Sequence, residues 1–135
     1  MTPSTMNHLY EIFASALEYP DEDWNTRLDH DEEWLTTQEP DLAVRFTGFR
    51  RNIEALTIER LQELYTRTFD LNPVCTLDIG YHLFGENYKR GELLARLRET
   101  EAPYELGQAN QLPDYLPVLL RLLDKLEDDE LRLAL

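Results

Sequence analysis

Three histidines, one cysteine and a dense set of carboxylates are the groups through which this chain could do chemistry. The richest cluster is Asp29-His30-Asp31-Glu32-Glu33, where His30 and Glu33 have the spacing of half a carboxylate metal site. No His-Glu-x-x-His and no second cluster accompanies it, so it is expected to be an exposed acidic helix face. Cys75 follows Pro73-Val74 and has His82 further on, too little for a nucleophile and base pair. A buried thiol is expected at Cys75, and a partly buried neutral imidazole at His82. Serine occurs at Ser4 and Ser15, neither in a Gly-x-Ser-x-Gly setting. Gly80 and Gly85 flank Tyr81-His82-Leu83-Phe84 with no Gly-Lys-Ser/Thr after them, which excludes a P-loop. No acid, base or nucleophile set is assembled, and neither an enzyme nor a bound metal or cofactor is expected.

What remains is binding chemistry. Tyr65, Phe69, Tyr81 and Phe84 recur at helical spacing, and by composition such a stripe belongs to a core. Asp70 and Asp114 weigh the other way. Each sits beside a proline break next to an apolar face, which would put a carboxylate at the mouth of an apolar cleft. A peptide carrying apolar anchors and a basic residue could bind there. Asp70 also closes its helix, where the dipole disfavours a negative charge by a few tenths of a kcal/mol.

Charge narrows the partners. The chain carries 27 acidic and 13 basic side chains, a formal charge of −14, so nucleic acid is an improbable partner, as is an anionic membrane surface. The field is mostly N-terminal: residues 1–41 hold 11 acids against Arg27 alone. With one cysteine there is no intramolecular disulfide and no multi-cysteine zinc or iron–sulfur site. The start lacks a basic region followed by an apolar one, and no apolar run approaches the roughly 20 residues a membrane span needs. A cytoplasmic protein is expected. At 135 residues the chain is expected to form one domain, residues 1–135.

The elements that must position these residues read as helices throughout. Leu9, Ile12, Phe13, Ala16 and Leu17 mark a first helix from Thr5 to Glu18, closed by Tyr19-Pro20. Trp24, Leu28, Trp34 and Leu35 mark one irregular helix or two short ones. Pro40 opens a third, with Leu42, Phe46, Phe49, Ile53 and Leu56 on one side. Thr57 suits the N-cap of a fourth, whose inward residues are Leu61, Leu64, Tyr65, Thr68 and Phe69. After the break at Asp70, Asn72 and Pro73, a short helix carries Leu77, Tyr81 and Phe84 and ends at Gly85, leaving Leu83 off its stripe. A basic-faced helix follows from Asn87 to Glu101, then an exposed loop from Ala102 to Gln111. A last helix begins near Pro117, with Leu116, Leu119, Leu120, Leu123 and Leu126 inward, and Asp128 or Asp129 capping one more turn. No alternating β-branched run occurs. The prediction is an all-α, single-domain bundle of about six to eight helices.

The stretches LQELYTRTFDLNPVCTLDIGYHLFGENYKRGELLARL and LPDYLPVLLRLL, in this order and spacing, resemble the nitrate reductase delta-subunit group of maturation chaperones, the NarJ-like branch of the TorD/DmsD redox-enzyme chaperones. The likeness is best from about Leu61 to Leu123, with an echo in LYEIFASALEYPDE. Tyr65, Phe69 and Asp70 match the family's Tyr-x-x-x-Phe-Asp element, and Gly85, Glu86, Arg90 and Gly91 its Gly-Glu-x-x-x-Arg-Gly element. Leu112, Pro113, Asp114, Leu116 and Pro117 match Leu-Pro-Asp-His-Leu-Pro, with Tyr115 in the usual histidine's place, so a role of that histidine does not carry over.

The resemblance implies an all-helical cytoplasmic chaperone without cofactor. It would bind the N-terminal leader, or leader remnant, of a molybdoenzyme catalytic subunit of nitrate reductase type during cofactor insertion, with molybdenum-cofactor insertion proteins as further partners. In that setting Tyr65 and Phe69 would form the groove wall and Asp70 or Asp114 would take a leader cation. Tyr81, Tyr115, Leu116 and Leu120 complete the expected peptide-binding set. The alternative is a non-catalytic adaptor or structural subunit that binds a folded partner. Members commonly continue with further helix beyond this point, so this is a shortened member or a piece of a longer chain. A missing C-terminal helix would leave apolar surface open to association.

Overall fold

The computed structural model describes residues 3–106 and 111–126. The fold is all-α. Seven α-helices run among the described residues: α1 Pro3–Ala16, α2 Trp24–Gln38, α3 Pro40–Ile53, α4 Ile58–Tyr65, α5 Ile79–Phe84, α6 Tyr88–Glu101 and α7 Leu116–Lys125. β pairing among them is confined to one antiparallel bridge, between Asp78 and Tyr115. No described helix is long and apolar enough to cross a membrane. The chain divides into two compact units, Met1–Leu17 with Thr76–Leu135, and Glu18–Cys75.

In the first unit α1 packs along α7. Leu9, Ile12 and Ala14 are buried on α1, while Phe13 is 37% exposed, so the inward face is rotated away from the expected stripe. On α7, Leu122 is fully buried and joins Leu97 and Leu126 in an apolar cluster, with Leu93, Leu106 and Leu119 against it. Of the expected face, Leu126 is buried, while Leu116, Leu119, Leu120 and Leu123 are half-buried. The physical reason is that α7 meets α1 on one side and the α6 leucines on another, so its apolar arc is wider than one stripe and Val118 and Leu122 occupy its centre.

α5 is short because Gly85 ends it: its φ of +63° is a conformation in which a Cβ is strained, and its N–H bonds Tyr81 O at 2.7 Å. Asn87 caps α6, its side chain accepting from Lys89 N at 3.0 Å. The segment after α6 begins with a 3-10 turn, Ala102–Tyr104. The remainder of that expected loop, residues 107–110, and the expected turn at Asp128 or Asp129 lie outside the described residues.

In the second unit α2 is one continuous helix, with Trp24, Leu28 and Leu35 buried at spacings of one helical face. Pro40 opens α3 as expected, and Glu39 joins the two helices, its N–H bonding Leu35 O and its carbonyl accepting from Ala43 N. Phe46 is buried, and Trp24 and Phe49 meet edge to face at 6.4 Å. The acidic face of α2 is not simply solvated. Arg50 of α3 pairs with Asp29 and with Glu32, at 3.0 Å to the latter, and Thr47 donates to Glu32 at 2.8 Å.

Thr57 caps α4, accepting from Arg60 N at 3.3 Å. Two further expectations are corrected. Cys75 is exposed, because the 3-10 turn Pro73–Cys75 has its neighbour Val74 81% exposed and stands out from the packed helices. His82 is also exposed, and its Nε2 donates to Thr76 O at 2.6 Å.

Two substitutions test these assignments by urea unfolding. Leu122→Ala is expected to cost about 2–5 kcal/mol through the lost burial and the cavity it leaves. Thr57→Ala is expected to cost about 1 kcal/mol through the lost cap.

Candidate functional site

The sequence-predicted site residues fall in two groups, one in each compact unit. Tyr81, Asp114, Tyr115, Leu116 and Leu120 belong to the first; Tyr65, Phe69 and Asp70 belong to the second.

In the first unit the organising group is Asp114, with 0% of its surface exposed. Its Oδ2 accepts from Gly80 N at 2.9 Å and Arg90 Nε at 3.1 Å, while Oδ1 accepts from Arg90 Nη2 at 3.3 Å. This two-pronged geometry is the strongest a carboxylate and guanidinium make. Hydrogen bonding to Asp114 is the main cause that holds the Arg90 pKa above its ordinary value, against the opposing effect of burial. Asp78 lies 3.8 Å from the same guanidinium, and the Tyr81 ring lies beneath it at 6.0 Å.

Asp114 was expected at a cleft mouth, open to a leader cation. It is instead committed to the interior, because an internal arginine and a backbone N–H take the acceptor sites a ligand would need. The backbone around it is pinned as well: Ile79 N bonds Asp114 O at 3.0 Å and Leu116 N bonds Leu77 O at 2.8 Å. Tyr115 donates its hydroxyl to Leu17 O at 3.4 Å. Tyr81, Leu116 and Leu120 are half-buried.

Gly80 was missed as a site residue. A Cβ there would stand 2.5 Å from Asp114 Oδ2 and 3.0 Å from Leu93, so only glycine lets the α5 backbone approach the carboxylate. The available signal was a glycine inside a short helical pattern, which marks a close approach. Arg90 was legible as a family element but not as the partner of Asp114, since no periodicity links residues on different segments.

In the second unit α4 passes into a π-helical turn, Thr66–Asp70, in which Leu71 N bonds Thr66 O at 3.0 Å, one residue wider than an α turn. Such widened turns are frequent at functional sites. Here the turn keeps Phe69 against Tyr65, with ring centroids 4.9 Å apart, while Asp70 is exposed with no partner among the described residues. Tyr65 is buried and also meets Tyr19 edge to face at 5.6 Å, which extends the predicted aromatic pair to three rings. Gln62 holds the Tyr19 segment in place by donating to Pro20 O at 2.7 Å. Alongside lies a cleft of about 470 Å³ lined by Tyr19, Glu59, Gln62, Glu63, Thr66, Arg67 and Leu71. Its rim carries two carboxylates and one guanidinium, and Leu71 supplies exposed apolar surface. The arrangement suits an apolar side chain flanked by a cation. Phe84 is 40% exposed in the other unit and is not part of this stripe.

Asp114→Asn is expected to lower stability by about 1–3 kcal/mol, since it weakens the pairing of the half-buried Arg90 and leaves it with the more distant Asp78. Gly80→Ala is expected to destabilise through the clash with Asp114. Combined with Asp114→Ala, its cost should be smaller than alone, because the clashing oxygens are gone. A double-mutant cycle of thermal unfolding measures both.

Residues 36–134 match the family described as nitrate reductase delta subunit. Among curated proteins, the probable nitrate reductase molybdenum cofactor assembly chaperone NarJ of Bacillus subtilis (strain 168) is 29% identical over 116 residues. That alignment covers 82% of this chain and 61% of the relative, so the chain spans less than two-thirds of that protein's length. The family match takes in the aromatic turn at Tyr65 to Asp70 together with Gly80, Arg90 and Asp114, and the chain belongs to the nitrate reductase delta subunit family.

Proposed function

We propose that this protein is a non-catalytic cytoplasmic chaperone for assembly of a molybdoenzyme of nitrate reductase type, and that it holds the N-terminal segment of the catalytic subunit during cofactor insertion. The observation that carries the proposal is the family match over residues 36–134, joined by a curated relative whose name describes a molybdenum cofactor assembly chaperone. The geometry supports a peptide-binding role. The cleft beside Tyr19, with Leu71 at its edge and Glu59 and Glu63 on its rim, is apolar enough for an anchor side chain and acidic enough for a cation. Tyr19, which lines the cleft, packs on Tyr65 and through it on Phe69, and exposed Asp70 close by in sequence is the carboxylate available to a basic residue. Asp114 is withdrawn from that role, and its contribution is to hold the first unit's backbone.

The charge of −14 supplies a second element of the mechanism. A basic peptide is attracted before contact, which raises the association rate and makes it fall with salt.

Isothermal titration with N-terminal peptides of the molybdoenzyme catalytic subunits from the same genome tests this reading. One peptide is expected to bind, more weakly as salt rises, and Asp70→Asn is expected to weaken it about 2- to 5-fold at low salt, as an exposed charge pair allows. Unchanged affinity of Asp70→Asn removes Asp70 from the site; absence of binding by every peptide overturns the chaperone reading.

A further inference from the structure

The last residue of α6 is an anomaly. Leu93, Leu97 and Glu101 recur every four residues along one side of that helix, and Leu97 is part of the buried cluster with Leu122 and Leu126, with Leu93 packed against it. A carboxylic acid therefore occupies the place a third leucine would fill. It is 1% exposed, and neither Oε1 nor Oε2 has a hydrogen-bond partner among the described residues. A buried ionised carboxylate without a partner is costly, and the neutral acid is the form such a site favours.

The charged groups around it do not change that balance. On its own helix, Arg98 favours the carboxylate; from the segment before α7, Asp114 disfavours it, with Arg90 occupied in pairing Asp114. Burial is the largest effect and pushes the Glu101 carboxyl up to about 7.

The segment that leaves Glu101 is held, among the described residues, by two backbone hydrogen bonds and one apolar side chain. Leu106 N bonds Glu101 O at 3.3 Å, Glu105 N bonds Ala102 O at 3.1 Å, and the Leu106 side chain packs on the Leu97, Leu122 and Leu126 cluster. Between them Glu105 adopts φ 58°, ψ 29°, a left-handed conformation that non-glycine residues disfavour. The left-handed residue makes this turn a place where opening relieves strain.

We propose that Glu101 is a proton-operated latch: with its carboxyl protonated, residues 102–106 stay docked on the apolar cluster, and ionisation lets water in by releasing that turn. The sign follows from the raised pKa. The docked state binds one more proton than the open state, so its stability is fully present below about 4.5 and is lost as pH rises through about 7. The release is local, because Leu97, Leu122 and Leu126 remain packed when the turn lifts.

Amide hydrogen exchange of the whole chain from pH 5.5 to 8.5, corrected for intrinsic rates, tests the latch. Protection of the Glu105 and Leu106 amides is expected to fall at least tenfold over that range while the amides of α1 and α3 keep theirs. In Glu101→Gln, which retains the shape without the ionisation, protection is expected to stay level. An equal fall in both proteins, or none in either, overturns the proposal. Carbon-13 NMR of Glu-labelled protein gives a readout independent of any variant: a Glu101 carboxyl that titrates near the ordinary glutamate value overturns it as well.

Discussion

The packing of the first unit depends on one buried carboxylate. Asp114 draws together a glycine from α5, an arginine from α6 and the backbone that leads into α7, three segments that share no local sequence contact. A charge of this kind is tolerated inside a protein only when a counter-charge and hydrogen bonds replace the lost water. Arg90 and the Gly80 N–H do so. The constraint works in both directions, since it dictates glycine at position 80 and fixes where the Asp78 to Tyr115 bridge forms. Two of the short motifs shared with the family thus turn out to be two halves of one junction.

The second unit solves a different problem by widening a helix. The π turn after α4 accommodates one extra residue without ending the helix, so that Phe69 still meets Tyr65 edge to face while Asp70 is exposed to solvent. Pro73 then prevents the chain from continuing as helix. A paired set of aromatic rings and an exposed carboxylate on one short stretch of chain are the outcome. The two units therefore hold their similar-looking aspartates in opposite conditions, one neutralised and one available, although proline breaks flank both in the sequence.

Much of the helical layout was legible from pattern alone. The cap at Thr57, the proline starts of α3 and α7 and the stop at Gly85 all follow from local backbone chemistry, which acts within a turn or two of the residue concerned. The rotated faces of α1 and α7 were not legible, because a helix packed on two sides has no single stripe to find. The inward placement of Asp114 escaped for a related reason: a proline break beside an apolar face is compatible with a cleft mouth and with a buried junction. Only the tertiary position of Arg90 distinguishes them. Cys75 went the other way, since a small thiol is buried by habit and here rides on a three-residue turn too short to be covered.

The discontinuity of the first unit bears on how the chain comes to be folded during synthesis. α1 is made first, yet the helix it packs against lies about a hundred residues later, as the contact of Glu11 with Arg121 illustrates. Glu18–Cys75 is one continuous stretch, made in full before α7, and can condense while the ribosome is still at work. Throughout that interval the apolar side of α1, with Leu9 and Ile12, has no native surface to cover it. Synthesis in this order leaves α1 waiting for α7.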